Sequence, residues 1–384
     1  MKIIIYCQHV LGIGHLQRIL EISRALKHHQ VILATGGEDI GISLPHHVSQ
    51  ERLPGLMMDS GFQRLFSTED GKTLDAVKQE RQALLWQIFQ RETPDIFLIE
   101  LFPFGRKAFR FELEPILKGL RNGELPPCNV VCSLRDILVE KKDVEAYETR
   151  VVTQLNAYFD ALFIHADPAL LKLDETFGRM HDIAVPVHYT GFVSPRPKPG
   201  AGLAVRKELG IPDTDPLAVA SAGGGKVGGR LLFAVLKAAA RLPQRIYLQV
   251  FTGPYLDDAA YAELKALQTD AISIRRFSPD FLPLMDAADL SISMAGYNTC
   301  MNILATRVPA LVWPFSQNRE QRLRAQKLAD LGWLKVLADE DLEPRRLANL
   351  MSRQMNQPVR PRQSVALNGA AKTAALIDLL QPKQ

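Results

Sequence analysis

Nowhere in the sequence is there an unbroken apolar run of the roughly 18 residues needed to cross a bilayer. The opening stretch MKIIIYCQH has one lysine and an apolar run that stops at Gln8, too short for the core of a secretory leader. A cytoplasmic protein that spans no membrane is the expectation. Charge excess is also scarce: 46 Lys and Arg against 42 Asp and Glu leave a net +4 over 384 residues. That is far from the dense basic face used by nucleic-acid binders, though compatible with an anionic ligand. Cysteine is limited to Cys7, Cys128, Cys132 and Cys300. The pair in CNVVC sits in strand-like surroundings and has no second pair or H-x-x-x-H to complete a zinc site, so buried free thiols are expected. Clustered carboxylates that would hold magnesium are missing too, and no metal site is expected.

What is present is the composition of a globular chain, 47% hydrophobic and 23% charged. Its length points to two domains. Short apolar runs rich in β-branched residues alternate with amphipathic stretches, the pattern of β-α units around buried parallel sheets. In the first half these runs are KIIIYC, QVILATGG, DIFLIELF, NVVCSL, ALFIHA and DIAVPVHYTG. The second half repeats the plan with PLAVASAGG, RIYLQVFTG, AISIRRF, DLSISMAG, VPALVWPF and WLKVLADED. Between them VSPRPKPGAG, Val193 to Gly202, interrupts all periodicity with three prolines and two glycines. The expected domains are residues 1–193 and 203–365, with a terminal helix at about 366–384 that either closes its own domain or returns to the first.

The stretch YCQHVLGIGHLQR resembles a dinucleotide turn but places Gln17 where G-x-G-x-x-G needs its third glycine. The second strand, moreover, ends in Ala34 and Thr35 rather than an acid for ribose hydroxyls. The turn is therefore not expected to bind nicotinamide. The remaining pattern, G-x-G-H-x-x-R, puts Gly12 and Gly14 where backbone can approach a ligand. It sets His15 and Arg18 one turn apart at a helix N-terminus, where anions are favoured and an imidazole tends to stay neutral. SAGGGKVGGR, Ser221 to Arg230, fails as a Walker A loop because Val227 follows Lys226. Its glycines with Lys226 and Arg230 still suit an anion nest. In SMAGYNT, Gly296, Asn298 and Thr299 mark a strand-to-helix transition fit for a diphosphate.

Glu100, the Arg135–Asp136 pair and His165 with Asp167 each close a strand, and such ends line the ligand crevice of a parallel sheet. Glu100 and Asp136 are candidate bases beside His15, with a structural salt link as the alternative for Arg135 and Asp136. Phe102, Phe104, Phe109 and Phe111 interleave with Arg106, Lys107 and Arg110, which reads either as core or as an acceptor or peripheral membrane surface.

The order of these elements resembles the GT-B glycosyltransferases, in particular those with the MurG-type carboxyl-terminal domain, family 28. The architecture matches over nearly the whole chain, and the motifs are confined to Gly12–Arg18 and about Gly223–Ala325. The resemblance implies an α/β GT-B fold of two Rossmann-like domains. It implies an acceptor-side first domain with His15 near the reacting centre, and a second domain holding a nucleotide-diphosphate sugar, a UDP-sugar above all, as co-substrate. Gly223, Gly224, Gly225 and Gly228 match the family's second glycine loop. Phe277 and Leu284 match its border with the base, and Glu320 and Gln321 the pair directed at sugar hydroxyls. Gly12, Gly14, Arg18, Lys226, Gly296, Asn298 and Thr299 complete the donor-binding candidates. Asn302 stands where the family has a ribose-binding glutamate, and an amide oxygen is the weaker acceptor. Metal-independent transfer with inversion is implied by the resemblance. A 2-epimerase or hydrolase of the same fold, or a non-catalytic sugar-nucleotide binder, are the alternatives.

Overall fold

The computed structural model describes residues 1–384 except 9–13, 38–42, 59–63, 139–140, 225–226, 316–317, 360 and 384. Gly12, Gly225 and Lys226 therefore lie outside the described residues. The chain divides into two units, Met1–Val193 with Asn368–Gln384, and Ser194–Leu367. The division falls inside the proline-rich break, where three prolines and two glycines withhold ladder donors and helical propensity.

In the first unit the elements are β1 (Lys2–Cys7), α1 (Gly14–Ala25), β2 (Gln30–Thr35), β3 (Val48–Arg52), β4 (Leu56–Met58) and β5 (Leu65–Ser67). Then come α2 (Leu74–Glu92), β6 (Ile96–Glu100), α3 (Arg110–Asn122), β7 (Asn129–Arg135), α4 (Val144–Tyr158), β8 (Ala161–His165) and β9 (Val187–Tyr189). Seven strands form one sheet in the order β3-β2-β1-β6-β7-β8-β9, and every pairing in it is parallel. β4 and β5 make a small antiparallel pair outside it.

The second unit holds α5 (Ala201–Glu208), β10 (Leu217–Ser221), α6 (Gly229–Ala239), β11 (Tyr247–Phe251), α7 (Asp258–Lys265), β12 (Ile272–Arg275) and α8 (Phe281–Ala287). It continues through β13 (Leu290–Ser293), α9 (Tyr297–Thr306), β14 (Ala310–Val312), α10 (Arg319–Asp330), β15 (Lys335–Val336) and α11 (Pro344–Met355). Its sheet is ordered β12-β11-β10-β13-β14-β15, again parallel throughout.

The apolar runs became strands because helices on both faces of a parallel sheet leave no polar side to alternate toward. IFLIE of β6 is buried at every position. Two runs shortened. In DIAVPVHYTG only Val187–Tyr189 pairs, since Pro186 has no N–H to give a ladder. β3 carries no apolar run because it is an edge strand, paired among the described residues to β2 alone and largely exposed. All four cysteines are free and buried.

A buried polar network locks α2 and α3 onto β1. Arg81 donates from Nε to Glu112 Oε2 at 2.8 Å and from Nη2 to Glu112 Oε1 at 2.6 Å and Gln8 Oε1 at 3.0 Å. Its Nη1 reaches the Pro54 carbonyl at 2.6 Å, and Tyr6 donates its hydroxyl to Glu112 Oε1. Arg81 and Glu112 have no exposed side-chain surface. Gly36 makes the space: a Cβ there would sit 2.0 Å from Arg81 Nη1.

The terminal helix α12 (Gly369–Asp378) packs on α1, returning to the first unit. Ile377 is fully buried among Ile3, Leu16, Ile19 and Leu20. Gly369 fits because a Cβ would meet the Gly191 carbonyl at 2.4 Å, while its N–H bonds Phe192 O at 3.0 Å.

Two outcomes are expected from chemical denaturation. Ile377→Ala should cost about 2–4 kcal/mol, the range for a truncated core isoleucine. Arg81→Leu, which strands the Glu112 carboxylate, should cost about 3–5 kcal/mol, and adding Glu112→Leu should recover part of that loss.

Candidate active site

In an open parallel sheet the ligand crevice lies outside the carboxyl ends of the strands, where strand order reverses. That point in the first unit is the pair β1 and β6, which are neighbours although they are separated in sequence. His15 is the second residue of the helix that follows β1, and Glu100 is the last residue of β6. Their side chains meet there: His15 Nδ1 lies 2.6 Å from Glu100 Oε1.

Two guanidiniums hold the same carboxylate. Arg18, one turn beyond His15, donates from Nη2 to Glu100 Oε1. Arg106 donates to Oε2 from Nε at 3.2 Å and from Nη2 at 3.0 Å. The segment after β6 returns Arg106 to the strand end through positive φ at Leu101 (66°) and at Arg106 itself (59°), conformations that cost non-glycine residues energy and recur at functional sites. Arg106 was read from the sequence only as part of a basic and aromatic surface. Spacing could not have found it, because the backbone path brings it back.

Burial alone would push the Glu100 carboxyl up, but His15, Arg106 and Arg18 together hold it well below the usual carboxylate range. Burial lowers His15 to about 4, against the attraction of Glu100. An ionised carboxylate only accepts, so the His15 proton facing it sits on Nδ1 and the lone pair on Nε2. Arg18 Nη2, 3.3 Å from that same Nδ1, is then a neighbour rather than a donor to it. His15 keeps 24% of its side chain exposed while Glu100 keeps none. Glu100 is thereby enclosed by its donors and suited to orient His15 rather than to meet a substrate as a rival base. Arg18, with 2% of its side chain exposed, is committed to Glu100.

Asp136, directly after β7, is fully buried. His165 ends β8 with Nε2 2.7 Å from Ser133 Oγ and Nδ1 2.8 Å from Thr190 Oγ1. Burial, then Arg18, lowers it to about 3, so it is a neutral bridge between two hydroxyls. Phe102, Phe104 and Phe109 are core residues, each at most 2% exposed. These three take the core reading of that segment, while Phe111 is half-buried.

In the second unit the same reversal joins β10 and β13. Gly223, at φ 65°, donates its N–H to Ser221 Oγ at 3.2 Å, and the Gly224 carbonyl accepts from Tyr255 N at 3.0 Å. Gly253 packs against this turn: a Cβ there would lie 2.3 Å from the Gly223 carbonyl. Gly228 caps α6 and Gly296 caps α9, neither with a side-chain capping bond, and neither helix has an acid in its first turn. Two helix N-termini therefore reach the carboxyl ends of adjacent strands with their dipoles uncompensated by an acid. Asn298 and Thr299 stand in the first turn of α9 and Asn302 one turn further, all half-buried.

Arg324 ties α10 to this turn, donating to Ala295 O at 3.2 Å and to Glu320 Oε1 at 2.8 Å. Gln321 Oε1 accepts from Phe315 N at 3.1 Å. Phe277 is 55% exposed whereas Leu284 is 3% exposed, so Leu284 belongs to the core behind the turn. Arg230 reaches Asp339 at 3.3 Å. Among the described residues no three His, Cys, Asp or Glu side chains are grouped to hold a metal ion.

The His15 midpoint followed by NMR should fall near pH 4 rather than 6.5, with the proton of the neutral ring on Nδ1. Because the unfolded chain binds this proton more tightly, the residue's contribution to stability is lost as pH falls from about 6.5 toward 4. A midpoint at or above 6.5 would mean that attraction to Glu100 outweighs burial.

Residues 222–379 match the model of the glycosyltransferase family 28 carboxyl-terminal domain. An uncharacterized glycosyltransferase of Methanopyrus kandleri is 24% identical over 174 residues, 45% of this chain and 48% of the relative. The UDP-N-acetylglucosamine–N-acetylmuramyl-(pentapeptide) pyrophosphoryl-undecaprenol N-acetylglucosamine transferase of Histophilus somni is 29% identical over 133 residues, 33% of this chain and 37% of the relative. The chain thus spans about half or less of the curated relatives it matches. The crystal structure of Acinetobacter baumannii MurG superposes with a TM-score of 0.60 at 16% identity, over 99% of this chain and 100% of that one. Fold and family model agree: the chain has the GT-B fold, and its residues 222–379 match the glycosyltransferase family 28 carboxyl-terminal domain.

Proposed function

We propose that the protein transfers a hexosyl group from a nucleotide-diphosphate sugar, with uridine as the nucleotide, to an acceptor hydroxyl, without a metal and with inversion at the sugar carbon. The observation that carries this reading is the His15–Glu100 pair at the strand-order reversal of the first sheet. An imidazole held neutral, with its Nδ1 proton fixed on a buried carboxylate, presents Nε2 as a general base. Nε2 takes the acceptor hydroxyl proton as the oxygen attacks the anomeric carbon. The bond from that carbon to the phosphate oxygen breaks, and its electron pair leaves with the nucleoside diphosphate. Attack opposite to the departing group inverts the centre.

The leaving diphosphate gains charge, which backbone N–H groups and cations must offset. The N-termini of α6 and α9, Gly223, Gly224, Gly296 and the Thr299 hydroxyl support a donor on the carboxyl-terminal unit, with Gly225 and Lys226 of the same loop assigned to it by the sequence. Phe277 is assigned to the base, and Asn298, Asn302, Glu320 and Gln321 to ribose and sugar hydroxyls. Gly12 and Gly14 are assigned to backbone contacts beside His15. Arg18 serves the reaction through Glu100. The cytoplasm as compartment belongs to the same proposal. Among the described residues, no helix is long and apolar enough to cross a membrane.

Thermal-shift screening against uridine, thymidine, guanosine and adenosine diphosphates and their sugars should show the largest rise with one UDP-sugar, because a ligand of the folded state raises the midpoint. Thr299→Ala should reduce that rise. Turnover of that donor should proceed without added magnesium and fall about 10²–10⁴-fold in His15→Ala with donor binding retained. Donor consumed equally well without any acceptor would instead identify an epimerase or hydrolase. Tight donor binding with no turnover would identify a binding protein.

A further inference from the structure

At the pole of the first sheet opposite His15, two His-His pairs lie side by side. KHHQ precedes β2 and PHHV runs into β3, the adjacent parallel strand. Val31 pairs with Val48, and the Val31 N–H bonds the His47 carbonyl at 2.9 Å. The register therefore gathers His28, His29, His46 and His47, four of the chain's nine histidines, around a cavity of about 350 Å³ that Lys27 also lines. No part of the proposed transferase chemistry uses them.

The two inner rings are prepared in the same way. His29 Nε2 lies 2.8 Å from Asp378 Oδ1, with 7% of the histidine side chain exposed. His47 Nε2 lies 2.9 Å from the Ser23 carbonyl. A carboxylate and a carbonyl only accept, so each neutral ring carries its proton on Nε2 and its lone pair on Nδ1. Both Nδ1 atoms are buried and, among the described residues, neither has a hydrogen-bond partner. An imidazole whose far N–H is held by a carboxylate or a backbone carbonyl is arranged as a metal ligand is, with its tautomer and orientation already chosen. The His46 ring lies 5.3 Å from that of His47, and His28 and His46 are exposed, so both can change rotamer at little cost.

We propose that this cavity binds a borderline divalent transition-metal ion of the zinc, nickel and copper class through Nδ1 of His29 and His47, completed by His28 and His46. Among the described residues no three ligands already converge, so the two exposed rings close the site as the ion arrives. Imidazole donors select these ions over magnesium and calcium, which prefer oxygen. Lys27, exposed at the rim, opposes the ion's charge and holds the affinity below that of a thiolate site. Since Asp378 belongs to α12, the ion would tie the turn after α1, the start of β3 and the terminal helix together. Its role is structural and independent of the transferase reading.

The test is titration of the full chain with zinc and with cobalt(II) at about pH 7.5, where imidazoles are mostly neutral. Calorimetry and cobalt absorption should show one saturating equivalent, and the thermal midpoint should rise with zinc. His29→Gln or His47→Gln should weaken binding at least tenfold. The paired exposed change His28→Gln with His46→Gln, which leaves the core untouched, should do the same, while His181→Gln should change nothing. The proposal fails if no stoichiometric binding occurs, if binding survives both His47→Gln and the exposed pair, or if these imidazole resonances respond to inorganic phosphate and not to zinc.

Discussion

A single buried carboxylate organises the amino-terminal unit's site. Glu100 has no exposed side-chain surface and accepts from His15, Arg18 and Arg106. An unpaired charge at that depth would be strongly penalised, and removing either guanidinium would leave part of that penalty standing. The arrangement is consequently mutual: the cations keep Glu100 ionised, and the ionised carboxylate chooses the His15 tautomer. Helix α1, strand β6 and the turn through Arg106 are thereby fixed to one another at the point where a ligand would arrive.

The two units reach the same topological solution with different chemistry. Each has a parallel sheet whose order reverses beside its first strand, at β1 and β6 in one and at β10 and β13 in the other. The first places a titrating pair there, and the second places glycine turns and two helix N-termini without acids in their first turns. One end suits proton transfer and the other suits an anion. That division follows from which residues follow the strands, since the backbone plan is shared.

Much of this was legible in the sequence because it depends on local pattern. Strand after strand appeared as a β-branched run, the unit boundary as a proline cluster, and His15 with Arg18 as neighbours on one helical face. Edge strand β3 and the shortened β9 were not legible, because an exposed edge needs no apolar run and Pro186 breaks the ladder within one. Whether Leu284 and the phenylalanines after β6 are packed or presented at a surface was not legible either. A hydrophobic residue beside a motif looks the same whether it lines a pocket or fills a core, and only packing tells the two apart.

Alone, the sequence determined the α/β class, the two-unit plan and the identity of the residues following each strand, all of which rest on periodicity and local backbone preference. Tertiary structure decided the partners. Arg106 returns to Glu100 through two positive-φ residues, Arg81 finds Glu112 beside the space left by Gly36, and two His-His pairs meet because β2 and β3 are parallel neighbours. Each of these joins groups whose meeting depends on the path of the folded backbone, and no spacing along the chain encodes that path.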